Sequence, residues 1–283
     1  MFTSIVKQAL TNLYTMQKLS TRIFFLSIIC LFWQCKPSKN IKTKIRVNIA
    51  PQASLKLTFK GSRGSNASAV VYNPAKQMYY SVIAGNYRYP LETFDSQGKS
   101  INQARAGMST RGMWWNPNTK QLERNVKKGI AAAALNAEGY ADSENLKVVL
   151  EADLHQPNGK SCGVYDPDTD EILYYSYEKI YRYSRKDAQL ISSYYLIGLP
   201  ADGDNLSANS MIYTGKPGME IGLLDYKNKK VHLFDKTTRK FANTIDLPQN
   251  AVTSKEYRFG YANNHVWLFD IGERSWVGYK IFD

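Results

Sequence analysis

Short runs of β-branched and aromatic residues alternate with turn-forming residues over most of this chain. The clearest example is Gly163–Pro200, in which four apolar runs are separated by polar turns at 166–168, 178–179 and 185–187. Runs of this composition fit a pleated, half-buried surface, and the residues between them favour turns. The stretch therefore predicts a meander of four short antiparallel strands.

Related units precede and follow this meander. Each contains an apolar strand, a turn with Pro, Asn or Asp, a second strand and then a further hairpin. The first two strands of the unit recur at 68–83, 112–126, 163–177 and, in a looser form, 210–226. The units begin near Asn66, Arg111, Lys160, Asn209 and Lys255.

The units are spaced about 40 to 50 residues apart, which is the length of one four-stranded blade of a β-propeller. We therefore predict an all-β fold, a β-propeller with five blades of four-stranded antiparallel sheets. The last unit is short, and Ser54–Lys60 alternates apolar and polar residues as a strand does. This N-terminal strand is predicted to complete the last blade and close the ring. Six blades, with residues 44–60 forming much of an extra blade, is the alternative.

The turns between the strands carry a recurrent sequence. Tyr72-Asn73-Pro74 and Tyr165-Asp166-Pro167 occupy equivalent turns, and Leu-Phe-Asp recurs at 233–235 and 268–270. These motifs resemble the YVTN-type and six-bladed propeller repeats of bacterial proteins, although no unit carries a full Trp-Asp or kelch signature. The resemblance covers the body of the chain and implies a propeller there.

The N-terminal segment has the parts of an export signal. Lys18 and Arg22 precede an apolar run over Ile23–Trp33, which Cys35 and a Lys-rich spacer follow. The arrangement resembles a bacterial lipoprotein signal, which implies acylation of Cys35 and a place in the cell envelope, in the periplasm or on the surface. Phe32-Trp33-Gln34 stand where that pattern has a small residue. An uncleaved anchor and plain secretion are the alternatives.

The chain thus divides into three predicted regions. Residues 1–35 form the signal segment. Met16 is an alternative start codon, in which case residues 1–15 would be an annotation artefact. Residues 36–50 form a flexible tether, and residues 51–283 form the propeller.

The basic charge of the chain is concentrated near its beginning. The formal net charge is +13, yet no Asp or Glu occurs before Glu92, so the remainder is close to neutral. A nucleic-acid-binding protein needs basic side chains along a path across its fold, and this distribution argues against one. We predict a monomer that contacts the membrane through its lipid anchor and binds no nucleic acid.

Candidate chemistry is sparse in the body of the chain. Cys162 is the one cysteine after Cys35, and beside Gly163 it is predicted to be a small buried residue. The acidic run 166–170 lacks the Gly and the final acid of a calcium loop and is predicted to be a hairpin turn. The histidines show no metal-ligand spacing, so neither a metal nor a cofactor is predicted.

The loops that precede the innermost strands are the best place for a binding site. In a propeller these loops gather at one mouth of the central channel, and loops on a rigid scaffold concentrate binding residues. Arginine and aromatic side chains there would suit an anionic or carbohydrate ligand. The loop Gly85–Pro90 is expected to reach the same face. The candidate ligand-binding residues are Arg63, Arg111, His155, Asp202, Asp204 and Asn209, together with Tyr87 and Arg88 of that loop.

The sequence thus favours a non-enzymatic binding module whose partner is an envelope protein or glycan. The alternative is a propeller hydrolase or lyase acting on carbohydrate. Such enzymes need paired carboxylates near the axis, and the starts of the inner strands carry none. Asp153, Asp202 and Asp204 in the neighbouring loops are the residues that would have to converge.

Overall fold

Twenty β-strands and one short 3-10 helix make up the computed structural model, which describes residues 45–283 apart from the side chains at 134 and 143–145. The strands form five antiparallel sheets of four strands each. The protein is therefore a five-bladed β-propeller, and this prediction is confirmed. The six-bladed alternative is wrong, because the described part of 44–60 supplies only one strand, and that strand belongs to the last blade.

Each blade is a meander in chain order, apart from one strand of the last blade. The strand before the first blade is β1 (Ala53–Thr58). Blade 1 contains β2 (Ala67–Asn73), β3 (Met78–Ile83), β4 (Pro90–Phe94) and β5 (Ser100–Arg105). Blade 2 contains β6 (Thr110–Asn116), β7 (Gln121–Val126), β8 (Gly129–Leu135) and β9 (Ala141–Leu150).

Blade 3 is the meander that the sequence shows most clearly. It contains β10 (Val164–Asp166), β11 (Glu171–Ser176), β12 (Lys179–Ser184) and β13 (Leu190–Tyr195). The 3-10 helix Gly203–Asn205 leads to blade 4, with β14 (Ile212–Tyr213), β15 (Ile221–Asp225), β16 (Lys230–Phe234) and β17 (Phe241–Asp246). Blade 5 contains β18 (Phe259–Ala262), β19 (His265–Asp270) and β20 (Ser275–Lys280).

The N-terminal strand closes the ring. β1 pairs antiparallel with β20, placing Lys56 opposite Val277 and Thr58 opposite Ser275. Blade 5 thereby gains its fourth strand, as the sequence predicts, and an edge that would otherwise be open is paired. Within the predicted tether, Val47 forms a β-bridge with Phe282. Residues 1–44, including the predicted signal and Cys35, lie outside the described residues.

The hydrophobic core is divided among the gaps between neighbouring blades. Five clusters of buried side chains are present, one in each gap. Full burial of a large apolar side chain contributes about 1.5–3 kcal/mol, so each gap stabilises the contact between its two blades. One large, fully buried member from each cluster is Leu122, Tyr174, Phe234, Phe282 and Trp267.

The innermost strands, β2, β6, β10, β14 and β18, lie around the central axis and run in the same direction. The loops before them meet at one end, which we call the front mouth, and the turns after them meet at the rear mouth. The strands approach closely: a Cβ atom on Gly112 would lie 2.2 Å from the carbonyl oxygen of Gly163. Only glycine fits at that crossing between blades 2 and 3.

Candidate functional site

A crossover segment, residues 59–66, connects β1 of blade 5 to β2 of blade 1 at the front mouth. The fully buried carboxylate of Glu92 accepts hydrogen bonds from the backbone N–H groups of Lys60 (3.0 Å) and Gly61 (2.8 Å). From blade 5, Arg274 donates to the carbonyl oxygens of Gly61 (2.9 Å) and Gly64 (2.6 Å). The segment is therefore held from both sides, which fixes the side chains that it presents.

This crossover segment forms one wall of a groove of about 890 Å³, which we call the basic groove. Tyr87 is half exposed at its edge, and Arg88 donates from Nε to the Tyr87 hydroxyl at 2.8 Å. Among the side chains that the structure describes, none of the groove's cationic groups pairs with a carboxylate. These groups belong to Lys60, Arg63, Arg88 and Arg105.

The sequence identified three residues of this groove and missed two. Arg63, Tyr87 and Arg88 were candidates because they belong to loops, and the structure brings them together. Lys60 ends the predicted strand Ser54–Lys60, and no pattern in the sequence singles out Arg105, which ends β5. Alternation along β5 would have indicated that Arg105 is exposed, but only the tertiary structure places it opposite the crossover segment.

Arg111 and His155 lie in a second groove of about 350 Å³ between blades 2 and 3. Arg111 donates to the carbonyl oxygen of Gly159 at 2.8 Å, which holds the loop before blade 3. His155 is buried, and its Nδ1 and Nε2 atoms lie 3.0 and 2.7 Å from the carbonyl oxygens of Ala152 and Val126. Its ring nitrogens are therefore engaged by the backbone.

Asp204 and Asn209 line a third groove of about 550 Å³ between blades 3 and 4. Asn209 is buried; its Oδ1 accepts from the Tyr257 N–H at 3.1 Å and so connects blades 4 and 5. Asp202 accepts from the Asp204 N–H at 3.1 Å and caps the 3-10 helix. Apart from Asp202, the candidate residues thus lie in three separate grooves near one end of the propeller.

The acids of the hydrolase alternative are also separated. Asp153 is exposed in the second groove, 3.8 Å from the Lys128 ammonium, whereas Asp204 lines the third groove. Within residues 45–283, as far as their side chains are described, no His, Cys, Asp and Glu side chains group as a metal site. The turn 166–170 is a hairpin between β10 and β11, as predicted.

Cys162 is a buried thiol beside the channel. Burial, only partly offset by a hydrogen bond with Ser210 and the charge of Arg111, raises the pKa of this thiol to about 12. A thiolate is the nucleophilic form of cysteine, and the raised pKa keeps Cys162 in the thiol form at neutral pH. The predicted structural role of Cys162 as a small buried residue agrees with this position.

The channel itself contains a cavity of about 370 Å³, which we call the central cavity. All five innermost strands line it, and its walls are mainly apolar. At the rear mouth each strand contributes one aromatic side chain at an equivalent position. These side chains are Tyr72, Trp115, Tyr165, Tyr213 and Tyr261.

No helix among the residues that can be described is long and apolar enough to cross a bilayer. No protein-family model and no curated protein sequence matches the chain. Comparison with solved structures finds likeness of fold at low sequence identity.

Three solved structures illustrate that likeness. A protein of unknown function from Bacteroides thetaiotaomicron has a TM-score of 0.45 and 11% identity, covering 75% of this chain and 58% of that one. The β-propeller domain of Myceliophteria thermophila Cps50 (Swd1) has a TM-score of 0.42 and 10% identity, covering 76% and 82%. Apo AztD from Citrobacter koseri has a TM-score of 0.33 and 10% identity, covering 65% and 48%. These values support no functional assignment, and the propeller fold rests on the strand pairing of this chain.

Proposed function

We propose that the protein is an exported, lipid-anchored β-propeller of the bacterial cell envelope that binds an anionic glycan in the basic groove. One observation carries the proposal. The four cationic side chains of Lys60, Arg63, Arg88 and Arg105 share one groove, and none forms an ion pair with a carboxylate that the structure describes.

Cationic side chains gathered without counter-ions create a positive potential that attracts anions. Guanidinium groups bind carboxylates and phosphates through paired hydrogen bonds, which makes arginine well suited to acidic sugars. Tyr87, half exposed at the same groove, offers an aromatic face to the apolar side of a sugar ring. An anionic glycan uses both features, whereas a neutral glycan would use only the second.

The hydrolase alternative gains no support from the geometry. Asp153 and Asp204 lie in different grooves, and Asp202 caps a helix. Paired catalytic carboxylates of glycosidases stand about 5 to 10 Å apart across one bond, which requires a shared groove. We therefore propose no second function.

The proposal is tested with an oligogalacturonate, which carries one carboxylate per sugar, and with its methyl ester as the uncharged match. Isothermal titration calorimetry with the purified full-length protein should detect the acid form only. Affinity should fall between 50 and 200 mM salt, because these exposed charges are screened. No binding of the acid form at low salt would reject an anionic glycan ligand of this type.

A matched pair of double variants locates the site. Arg63→Gln with Arg88→Gln removes two charges from the groove, and Lys186→Gln with Lys227→Gln removes two exposed charges elsewhere. The groove variant should bind oligogalacturonate at least about tenfold more weakly, and the control should stay within about twofold. Equal losses would show that net charge, and not the groove, attracts the ligand.

Lipid anchoring is tested at Cys35. Mass spectrometry of the mature protein should find an acylated Cys35 at the N-terminus, and Cys35→Ser should release the protein from the membrane fraction. An unmodified Cys35 still joined to Gln34 would contradict the anchor and leave glycan binding as a separate question.

A further inference from the structure

The central cavity has two chemically different ends. Its rear end is lined by aromatic residues, including the half-buried Tyr72, Trp115 and Tyr213, whose rings also pack into the gaps between blades. Its front end is bordered by Ser68 and Cys162. A volume of about 370 Å³ lies within the range of small-molecule pockets.

Four buried polar atoms without partners lie at or near the front end. Ser68 is 3% exposed, and its hydroxyl has no hydrogen-bond partner among the described residues. The same holds for the buried atoms Ser161 Oγ, Asn209 Nδ2 and Arg258 Nε. Ser161 and Arg258 directly precede residues that line the cavity, Cys162 and Phe259. Buried polar groups in proteins are almost always paired, so these unpaired atoms call for an explanation.

Backbone hydrogen bonds bring these residues together around the axis. The Cys162 N–H donates to the Asn209 carbonyl oxygen at 2.9 Å, which joins blades 3 and 4. The Arg258 N–H donates to the Ala67 carbonyl oxygen at 2.9 Å, which joins blades 5 and 1. Ser68 thus borders the cavity itself, whereas Ser161, Asn209 and Arg258 lie around the axis in front of it, and Asn209 also lines the third groove.

The unpaired atoms are mainly donors. The amide of Asn209 and the guanidinium of Arg258 can only donate at these atoms, and the two serine hydroxyls can also donate. Within the described residues Arg258 and Arg111 form no ion pair. Glu256, which pairs with Lys160, offsets part of their charge, so a positive charge remains around the front end. An acceptor group with negative charge would satisfy it best.

We propose that the central cavity binds a small aromatic carboxylic acid, independently of the basic groove. The ring system would lie between the aromatic side chains at the rear mouth, where stacked and edge-to-face contacts are favourable. The carboxylate would point to the front end and accept hydrogen bonds from Ser68 and its neighbours. Ordered water is the other occupant that such a cavity could hold.

The experiment uses 2-naphthoate as the probe and 2-naphthamide as its uncharged match. Binding to the full-length protein is followed by calorimetry and by quenching of tryptophan fluorescence. Naphthoate should bind at least about tenfold more tightly than naphthamide, a difference of about 1.4 kcal/mol. Failure of both probes to bind at millimolar concentration would overturn the proposal and leave water as the occupant.

Variants assign the two ends of the cavity. Trp115→Ala should weaken both probes, whereas Ser68→Ala should weaken naphthoate by about tenfold and naphthamide little. Tyr195→Ala, which removes an exposed aromatic ring on the outer strand β13, should change neither affinity. Thermal unfolding checks that each variant is folded, and Tyr261→Leu replaces Trp115→Ala if that variant is not.

The groove variant separates this site from the first one. Arg63→Gln with Arg88→Gln should bind naphthoate normally, because neither side chain lines the central cavity. Loss of naphthoate binding in that variant would place the probe in the basic groove and overturn the assignment.

Discussion

Glu123 and Arg124 are neighbours on β7, both are fully buried, and they face opposite gaps between blades. Glu123 faces blade 3, where its carboxylate pairs with Arg185 through two hydrogen bonds of 2.7 and 2.6 Å. It also accepts from Trp114 at 3.1 Å and Asn116 at 3.2 Å. Arg124 faces the gap towards blade 1, but its guanidinium makes one hydrogen bond, within blade 2, to Thr110 Oγ1 of β6 at 3.2 Å.

The difference shows that partners, more than depth, decide what a buried charge costs. Burial alone would raise the pKa of Glu123, but the hydrogen bonds and charge of Arg185, with Asn116, hold it below its usual value. Burial lowers the pKa of Arg124 to about 10, and nothing offsets it. Arg124 remains charged at neutral pH with Nε and Nη2 unpartnered, an arrangement that usually costs several kcal/mol.

The compensated arrangement recurs in the next gap. Lys236 of blade 4 donates to Asp166 of blade 3 at 2.8 Å and to the Tyr213 hydroxyl at 2.9 Å. Arg185 and Lys236 occupy the same turn in consecutive blades, between the third and fourth strands. Charge pairs therefore connect blades 2 and 3 and blades 3 and 4.

Removing the cation beside Glu123 should have the largest effect. Arg185→Met leaves a fully buried carboxylate without its counter-ion, so the free energy of unfolding should fall by about 3–5 kcal/mol. Urea unfolding followed by circular dichroism measures it. Arg105→Met, an exposed arginine of the basic groove, is the control and should cost under about 1 kcal/mol. A similar small loss in Arg185→Met would show that the pair is dispensable.

Lys236→Met should lower the free energy of unfolding by less, about 2 kcal/mol. Asp166 keeps the Tyr213 hydroxyl at 2.7 Å, the Thr169 hydroxyl at 3.1 Å and the Asp168 N–H at 3.1 Å. The same unfolding experiment ranks the two variants. If Lys236→Met were the more destabilising variant, the hydrogen bonds that Asp166 keeps would not explain the order.

Acidification should reduce the difference in the free energy of unfolding between wild type and Arg185→Met by about 1–2 kcal/mol. A depressed folded pKa makes ionised Glu123 stabilising above its ordinary pKa of about 4.3, and this contribution is lost as pH falls through the folded pKa. In the variant, Glu123 is buried without a cation, which favours its protonated form, so low pH removes part of the destabilisation. Urea unfolding at pH 7 and pH 4 tests this, and an equal difference between the two proteins at both pH values would contradict it.

Arg124→Met should have the smallest effect, and in the opposite direction. Replacing an uncompensated buried charge with an apolar side chain of similar length should raise the free energy of unfolding by about 1 kcal/mol. The difference should not change between pH 7 and pH 4. A loss of stability would show instead that the guanidinium has partners, such as bound water, in solution.

The sequence predicted the blades well because their signals are local. Alternation in Ser54–Lys60 and the turns after Tyr72 and Tyr165 indicate strands and hairpins without knowledge of distant residues. The repetition then predicted the number of blades, because each of the five repeated units has the length of one four-stranded blade. The closing strand followed from the short last unit.

The candidate site was predicted only in part because its geometry is not local. The loops at the front mouth follow one another around the ring, so their residues separate into three grooves. Histidine is a common ligand-binding residue type, but both ring nitrogens of His155 lie close to backbone carbonyl oxygens. The basic groove needs Lys60 and Arg105, which only the ring closure brings opposite each other.

By itself, the sequence determined the all-β class, the five repeated blades and the strand that closes the ring, because periodicity and turn chemistry act over a few residues. Only the tertiary structure decided which charges are neutralised. Glu123 meets Arg185 across 62 positions of the chain, and adjacent Arg124 meets no acid that the structure describes. Nothing in the local pattern distinguishes these two residues, because Arg185, the counter-ion of Glu123, comes from a neighbouring blade that is distant in the sequence.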